Sequence, residues 1–249
     1  MRRPLRHSAW WSVKRAVDLV GASVALVLAA PLIVVLAAAV RLSSPGPVLL
    51  RQARIGLDGI PFDLLKFRSM RVHGEGDTLW SVEADDPRVT RLGRFMRRTA
   101  LDELPQLVNV VKGDMSLVGP RPERPLFAEQ FAESVPGYTG RHGVRGGLTG
   151  WAQIHGWRGD TSIAERTTMD LDYIARWSLW RDLLIMARTV PVLMRDAVRD
   201  DAPPLGLSVS DRSRPGVRAS TRAADRAETA RPPVVARPGD TVPIGPSLQ

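Results

Sequence analysis

Asp102 and Glu103 are adjacent carboxylates, with Arg94, Arg97 and Arg98 just upstream. Paired carboxylates ringed by guanidinium groups suit phosphoryl chemistry, where one can attack phosphorus and the other can hold Mg2+. The same spacing fits a capped, salt-bridged helix start, with Thr99 to Asp102 as a capping box, and spacing alone favours that plainer reading. A helix start with Arg neighbours would also keep Asp102 ionised. Arg121 stands between Pro120 and Pro122. Each proline fixes its own φ and restricts the residue before it, so stiff backbone presents the guanidinium for a bidentate grip on phosphate or a planar base. Lys66 and Arg68 share one face of a period-two segment, where they either meet a phosphate or stand as two solvated charges at a strand end. The chain has no Cys, which removes thiolate metal sites and cysteine nucleophiles. Its four His (His7, His73, His142, His155) are scattered without metal-ligand spacing.

These residues need elements to position them. Val48–Phe67 reads as a β-hairpin turning at Asp58-Gly59, a strong turn dipeptide between apolar-rich stretches. His73–Asp86 is polar and glycine-containing and reads as a mobile loop. Leu19–Val40 carries no charge over 22 residues, which at helical rise reach roughly 33 Å, about one bilayer core. Pro31 lies near its middle and removes a backbone donor. Arg2, Arg3, Arg6, Lys14 and Arg15 precede the run, and Arg41, Arg51 and Arg54 follow it. The positive-inside bias places both flanks on the cytoplasmic side, which a straight span cannot do and a helix broken at Pro31 can. The broken form predicts arms of about 18 Å and 13 Å that enter one leaflet and return. A straight span and a soluble core helix are the competing readings.

With 249 residues, 44% hydrophobic and 24% charged, the chain is neither wholly disordered nor, with a single long apolar run, a polytopic membrane protein. Its formal charge of +9 admits nucleic acid, an anionic membrane or phosphorylated substrates as partners. Ala202–Gln249 holds eight Pro, four Gly and seven Arg but no aromatic residue, and so reads as a disordered tail that carries +3 of that charge. No zinc-finger spacing, aromatic strand motif or basic zipper is present, so nucleic acid is not expected as a partner.

Taken together, the residues resemble the bacterial sugar transferase family, the monotopic phosphoglycosyl transferases that start lipid-linked glycan assembly. The matching pieces run in order from Lys14-Arg15 and Asp18 through Gly46-Pro47-Val48, Gln52, Arg54-Ile55-Gly56 and Lys66-Phe67-Arg68-Ser69-Met70. They continue through Leu101-Asp102-Glu103-Leu104-Pro105-Gln106, Asn109 and Gly113-Asp114-Met115-Ser116-Leu117-Val118-Gly119-Pro120-Arg121-Pro122. They end with Leu148-Thr149-Gly150-Trp151-Ala152-Gln153, Tyr173, Trp177-Ser178-Leu179 and Asp182. The resemblance covers about Lys14–Val198.

The resemblance implies an enzyme that moves a sugar-1-phosphate from a UDP-sugar onto undecaprenyl phosphate and releases UMP. It makes Asp102 the nucleophile of a covalent intermediate, Glu103 the Mg2+-associated carboxylate and Arg121 part of the nucleotide-binding element. Lys66, Arg68, Arg98, Pro120 and Pro122 are the further expected substrate contacts. The implied fold is α+β and mainly helical. Residues 1–41 would form a basic N-terminus and re-entrant membrane helix broken at Pro31, residues 42–201 a catalytic domain on the cytoplasmic face of the inner membrane, and residues 202–249 a tail. A homo-oligomer stays open. Arg181, Arg188 and Arg195 recur every seven residues near Trp177 and Trp180, as an interfacial helix or as a plain solvated stripe. Two departures from the family pattern are Ala30 in place of a common Ser and Gly146 in place of a common Pro, the latter predicting a looser loop. The segments Gly119–Pro125 and Gly156–Thr161 look most like members that handle UDP-glucose or UDP-galactose. An N-acetylated UDP-sugar and an inactive membrane scaffold are the alternatives.

Overall fold

The computed structural model describes residues 9–71, 86–157 and 161–198. The polar loop and the tail expected from the sequence lie almost entirely outside the described residues. A long helix α1 (Ala9–Ser43) leads into a hairpin of β1 (Leu49–Ile55) and β2 (Pro61–Phe67). Then follow α2 (Arg91–Arg98), a single 3-10 turn at Leu101–Glu103, α3 (Gln106–Lys112), β3 (Met115–Val118) and α4 (Pro125–Ser134). The fold closes with β4 (Gly146–Thr149), α5 (Trp151–Ile154), α6 (Ile163–Ala175) and α7 (Leu179–Val198). Among the described residues it is mainly helical, as the resemblance implied, with two small sheets, of which the β1–β2 hairpin was expected and the β3–β4 pair was not.

The hairpin turns where expected. Asp58 and Gly59 both take positive φ, 59° and 77°, within the three-residue loop Leu57–Gly59 that the Gly56 N–H closes by donating to the Ile60 carbonyl at 2.9 Å. The register runs from Leu49 opposite Phe67 to Ile55 opposite Pro61. The second sheet pairs β3 with β4 in parallel, Met115 opposite Gly146 and Val118 opposite Thr149. Gly146 is therefore a strand residue rather than part of a loose loop, and a Cβ there would meet the Pro122 ring at 3.1 Å.

Helix α1 is assigned without interruption through Pro31, where the sequence predicted a break. One proline deletes one i→i−4 bond, and the bonds on either side can hold the element together. Both of its arms nevertheless fasten to the same domain. On the first arm, Arg15 donates to the carbonyls of Val110 and Val111 at the end of α3, at 2.6 and 2.8 Å. Ala22 packs with Leu64, Leu107, Val110 and Met115. On the second arm, Leu36 and Val40 pack with Phe67 and Met96, and Leu104 touches both clusters. Between the arms, Val27, Leu28, Val34 and Val35 are exposed. The helix is long and apolar enough to cross a membrane.

Helix α2 begins on Thr90, whose side chain accepts from the Gly93 N–H at 2.9 Å. Gly93 also lies against Ser69, and a Cβ there would fall 1.9 Å from the Ser69 carbonyl oxygen. Gly93→Ala should therefore destabilise the fold by about 1–3 kcal/mol, an overpacking cost against rigid backbone. Chemical denaturation of the variant checks this, and an unchanged midpoint would contradict it.

Candidate functional site

The two carboxylates lie on the 3-10 turn between α2 and α3, not at the start of a capped α-helix. Thr99 ends α2 and donates its hydroxyl to the Phe95 and Met96 carbonyls, at 2.9 and 3.2 Å. Ala100 then reverses the chain with φ 55°, an unusual conformation for a residue with a Cβ. The capping-box expectation fails because the Thr99 hydroxyl is committed backwards.

Asp102 is 8% exposed. Burial first, and the adjacent Glu103 second, push its carboxyl up to about 7, against the opposing pull of Lys66, Arg97 and Arg121. Arg neighbours thus do not hold it fully ionised, as the sequence suggested they would. Burial also raises Glu103, but the Arg121 charge and hydrogen bonds outweigh it, with help from Lys66 and Arg54, and hold this carboxyl below its ordinary range. The Arg121 fork meets both Glu103 oxygens, at 2.5 and 3.3 Å. Two neighbouring carboxylates are pushed apart in acidity, a pattern of sites where one group stays charged while the other exchanges a proton.

Lys66 comes from β2 opposite Leu50. Burial, then Arg54, push its ammonium down to about 8, while Asp102 and Glu103 pull it back up. The side chain of Asn109 steadies this strand, accepting from the Leu65 N–H at 3.0 Å and donating to the Asp63 carbonyl at 2.7 Å.

One of the expected contacts is placed differently. Strand β2 ends at Phe67, so the period-two face stops before Arg68. The Arg68 guanidinium instead donates to the carbonyls of Val40, Ser44 and Pro47, at 3.3, 2.6 and 2.6 Å. It closes the C-terminal end of α1, where a cation is favoured. Among the α2 arginines, Arg97 has a charge that pulls on the Asp102 carboxyl. Arg97 is buried and donates Nε to the Ser69 hydroxyl at 2.8 Å, while Arg98 sits half-buried at the helix end.

Pro120 and Pro122 are buried on either side of Arg121. The Gly119 N–H donates to Thr149, and the Gly147 N–H to Pro120, both at 2.9 Å. This approach excludes side chains: a Cβ on Gly147 would lie 2.1 Å from the Gly119 nitrogen. Behind the segment lies a buried ionic cluster that the candidate residues did not include. Glu123 accepts from Arg166 at 2.7 Å, and Asp170 accepts from Arg141 at 2.7 and 3.1 Å. No local spacing signals these pairs, because their partners lie 29 to 43 residues apart.

A second buried cluster joins α1 to α7. Lys14 lies 2.9 Å from both Asp18 and Asp182, and Asp182 also accepts from Tyr173 and Trp177.

A model of the bacterial sugar transferase family matches residues 9–196. The chain belongs to that family. It is 50% identical over 182 residues to a UDP-glucose:undecaprenyl-phosphate glucose-1-phosphate transferase of Escherichia coli (strain K12), covering 72% of this chain and 39% of that protein. It is 48% identical over 185 residues to a protein of the same name from Caulobacter vibrioides, covering 73% and 69%. An Aeromonas hydrophila relative, named UDP-N-acetylgalactosamine-undecaprenyl-phosphate N-acetylgalactosaminephosphotransferase, is 42% identical over 184 residues, covering 73% and 44%. The match spans about two fifths of the length of the Escherichia coli and Aeromonas hydrophila proteins.

Two outcomes separate the architectural groups of this chain from the candidate reactive ones. Arg68→Met leaves three carbonyls without their donor and should cost about 2–3 kcal/mol of stability, yet leave UDP-glucose affinity within about twofold. A large loss of affinity in a folded variant would restore Arg68 to the substrate site. The Asp102 carboxyl is harder to ionise in the folded chain than in the unfolded one, so between about pH 4 and 7 the folded state binds more protons and stability falls as pH rises. Asp102→Asn removes that penalty. In EDTA its melting temperature should exceed the parent's at pH 8, with the gain vanishing towards pH 4.

Proposed function

We propose that the chain transfers a hexose-1-phosphate, glucose in the first instance, from a UDP-sugar to undecaprenyl phosphate and releases UMP. The observation that carries this reading is Asp102, buried beside Glu103 and under the charges of Lys66, Arg97 and Arg121, in a chain whose matched 182 residues are 50% identical to a protein named a glucose-1-phosphate transferase. An Asp102 oxygen attacks the phosphorus that bears the sugar. The bond from that phosphorus to the UMP oxygen breaks, and UMP leaves with the electron pair. The phosphate oxygen of undecaprenyl phosphate then attacks the same phosphorus and releases Asp102. Both nucleophiles act as anions, so no histidine base is needed.

The donor set suits Mg2+. Among the described residues no three His, Cys, Asp or Glu side chains gather as a metal site, but Mg2+ takes one or two carboxylates and completes its shell with substrate phosphates and water. Glu103 would hold it, with Asp102 adjacent, and the bound ion would neutralise diphosphate charge. Arg121 presents the planar fork for the nucleotide, and Lys66 and Arg97 surround the reacting carboxylate with positive charge.

A polyprenyl acceptor keeps its tail in the bilayer, so the site must face a membrane surface. The cytoplasmic side of the inner membrane follows from the positive charges flanking the apolar run, and two features support a monotopic arrangement there. Both arms of α1 fasten to one domain, and Trp180, Leu183, Val190 and Met194 line an exposed apolar face of α7. Of the arginines on that helix, Arg188 and Arg195 are exposed, while Arg181 pairs with Asp172 at 2.6 Å and covers the Trp151 ring. Because the chain lacks cysteine, single-cysteine variants report topology cleanly. Ser12→Cys and Ser43→Cys should both react only from the cytoplasmic side. Labelling of Ser12→Cys from outside intact cells would establish a straight span.

The reaction is tested by UMP release across UDP-glucose, UDP-galactose and their N-acetylated counterparts, with undecaprenyl phosphate and Mg2+. UDP-glucose should turn over fastest. Preference for an N-acetylated donor would assign the activity named for the Aeromonas relative, and no release from any donor would leave the scaffold reading.

A further inference from the structure

The Pro120–Pro122 segment poses a mechanical problem. A proline has no N–H, so at positions 120 and 122 the backbone cannot donate to anything, and the segment can be tied at those residues only through its carbonyls. Four consecutive carbonyls are tied. The Pro120 oxygen accepts from the Gly147 N–H at 2.9 Å, and the Glu123 oxygen accepts from the Ile55 N–H at 2.8 Å. The two between them are held by guanidinium groups. Arg141 donates Nη2 to the Arg121 carbonyl at 3.0 Å, and Arg54 donates Nη1 to the Pro122 carbonyl at 3.0 Å.

Arg141 is itself aimed. It is 2% exposed, its Nε and Nη2 donate to the same Asp170 oxygen at 3.1 and 2.7 Å, and its Nη1 donates to the Tyr138 hydroxyl at 3.2 Å. Its Nη2 also meets the Arg121 carbonyl, and its Nη1 lies 4.0 Å from the Glu123 carboxylate. Arg54 is steadied by Gln52 at 2.8 Å and lies 3.7 Å from Glu123. A neutral donor could satisfy one carbonyl. A planar cation fixed on its own carboxylate can also set the tilt of the peptide plane, and that tilt sets where the Arg121 side chain leaves the backbone.

We propose that Arg141, oriented by Asp170, is a positioning residue for Arg121: it fixes the peptide plane between Arg121 and Pro122 so that the Arg121 fork faces Glu103 and the incoming nucleotide. The inference rests on the nucleotide role of Arg121 given above. Arg54 secures the next peptide in the same way. Arg166 belongs to the same buried cluster, and its bonds include those to the Glu123 carboxylate and the Thr161 hydroxyl. It shares the cluster with Arg141 and serves as the comparison for disturbing that cluster.

The test compares Arg141→Lys with Arg166→Lys in the full chain, reading melting temperature, UDP-glucose KM and kcat, and UMP affinity by calorimetry. Both variants should melt earlier. Only Arg141→Lys should raise KM and weaken UMP binding, by about tenfold, with kcat much less affected. In an Arg121→Lys background, where the fork is already gone, Arg141→Lys should add less than about twofold, because residues acting through one another are not additive. If Arg141→Lys fails to fold, Asp170→Asn keeps the shape, loosens the aim of Arg141 and should show the same KM shift. Lower stability with unchanged KM and UMP affinity, or effects of Arg121→Lys and Arg141→Lys that multiply, would overturn the proposal while leaving the transferase reading intact. A parent protein that neither binds UMP nor releases it would overturn that reading, and this inference with it.

Discussion

Two carboxylates side by side in a buried turn repel each other and resist losing water, and the rest of the site answers that constraint. Glu103 is stabilised as an anion by the Arg121 fork, while burial first, and the Glu103 charge second, push Asp102 up to about 7. An ion pair of this kind holds only where its geometry is fixed, since a buried charge without its partner is costly. The geometry comes from Pro120 and Pro122, from the glycine approach that docks them against β4, and from the guanidinium groups of Arg54 and Arg141 on their carbonyls. Stability and the proposed reactivity would thus rest on the same contacts.

Helix α1 meets a related demand. Its apolar middle is exposed, while polar groups on its arms are buried against the domain: Lys14 and Asp18 on one side, and the carbonyls capped by Arg68 on the other. Arg15 closes the end of α3 from α1, and Arg68 closes the end of α1 from beyond β2. Each helix end is satisfied by a side chain from another element, so neither arm can leave the domain without stranding carbonyls. That arrangement would keep the Asp102 turn close to an interface where a lipid phosphate can reach it.

Local chemistry was legible in the sequence. Asp58-Gly59 forecast the hairpin because only certain residues accept two left-handed conformations in succession. Asp102-Glu103, Arg121 between its prolines and the long apolar helix stood out by residue type alone. Phase and partner were not legible. Arg97 acts on Asp102 from the end of α2, where its Nε meets the Ser69 hydroxyl, and the helical phase that sets this leaves no mark in composition. Arg68 looked like a phosphate ligand beside Lys66, and the strand ended one residue too soon for that. Thr99 matched a capping box, but Ala100 at φ 55° redirects the chain before the carboxylates. The pairs Arg141–Asp170 and Arg166–Glu123 join distant segments and exist only once the chain has folded.

The account stands on Asp102 as the attacking group. The most direct measurement is intact-protein and peptide mass spectrometry after incubation with UDP-glucose and Mg2+ in the absence of undecaprenyl phosphate. About one UMP per active site should be released, with a hexose-phosphate mass on the peptide that contains Asp102. That mass should disappear when undecaprenyl phosphate is added. An adduct on Asp114, or full turnover by Asp102→Asn, would contradict the account.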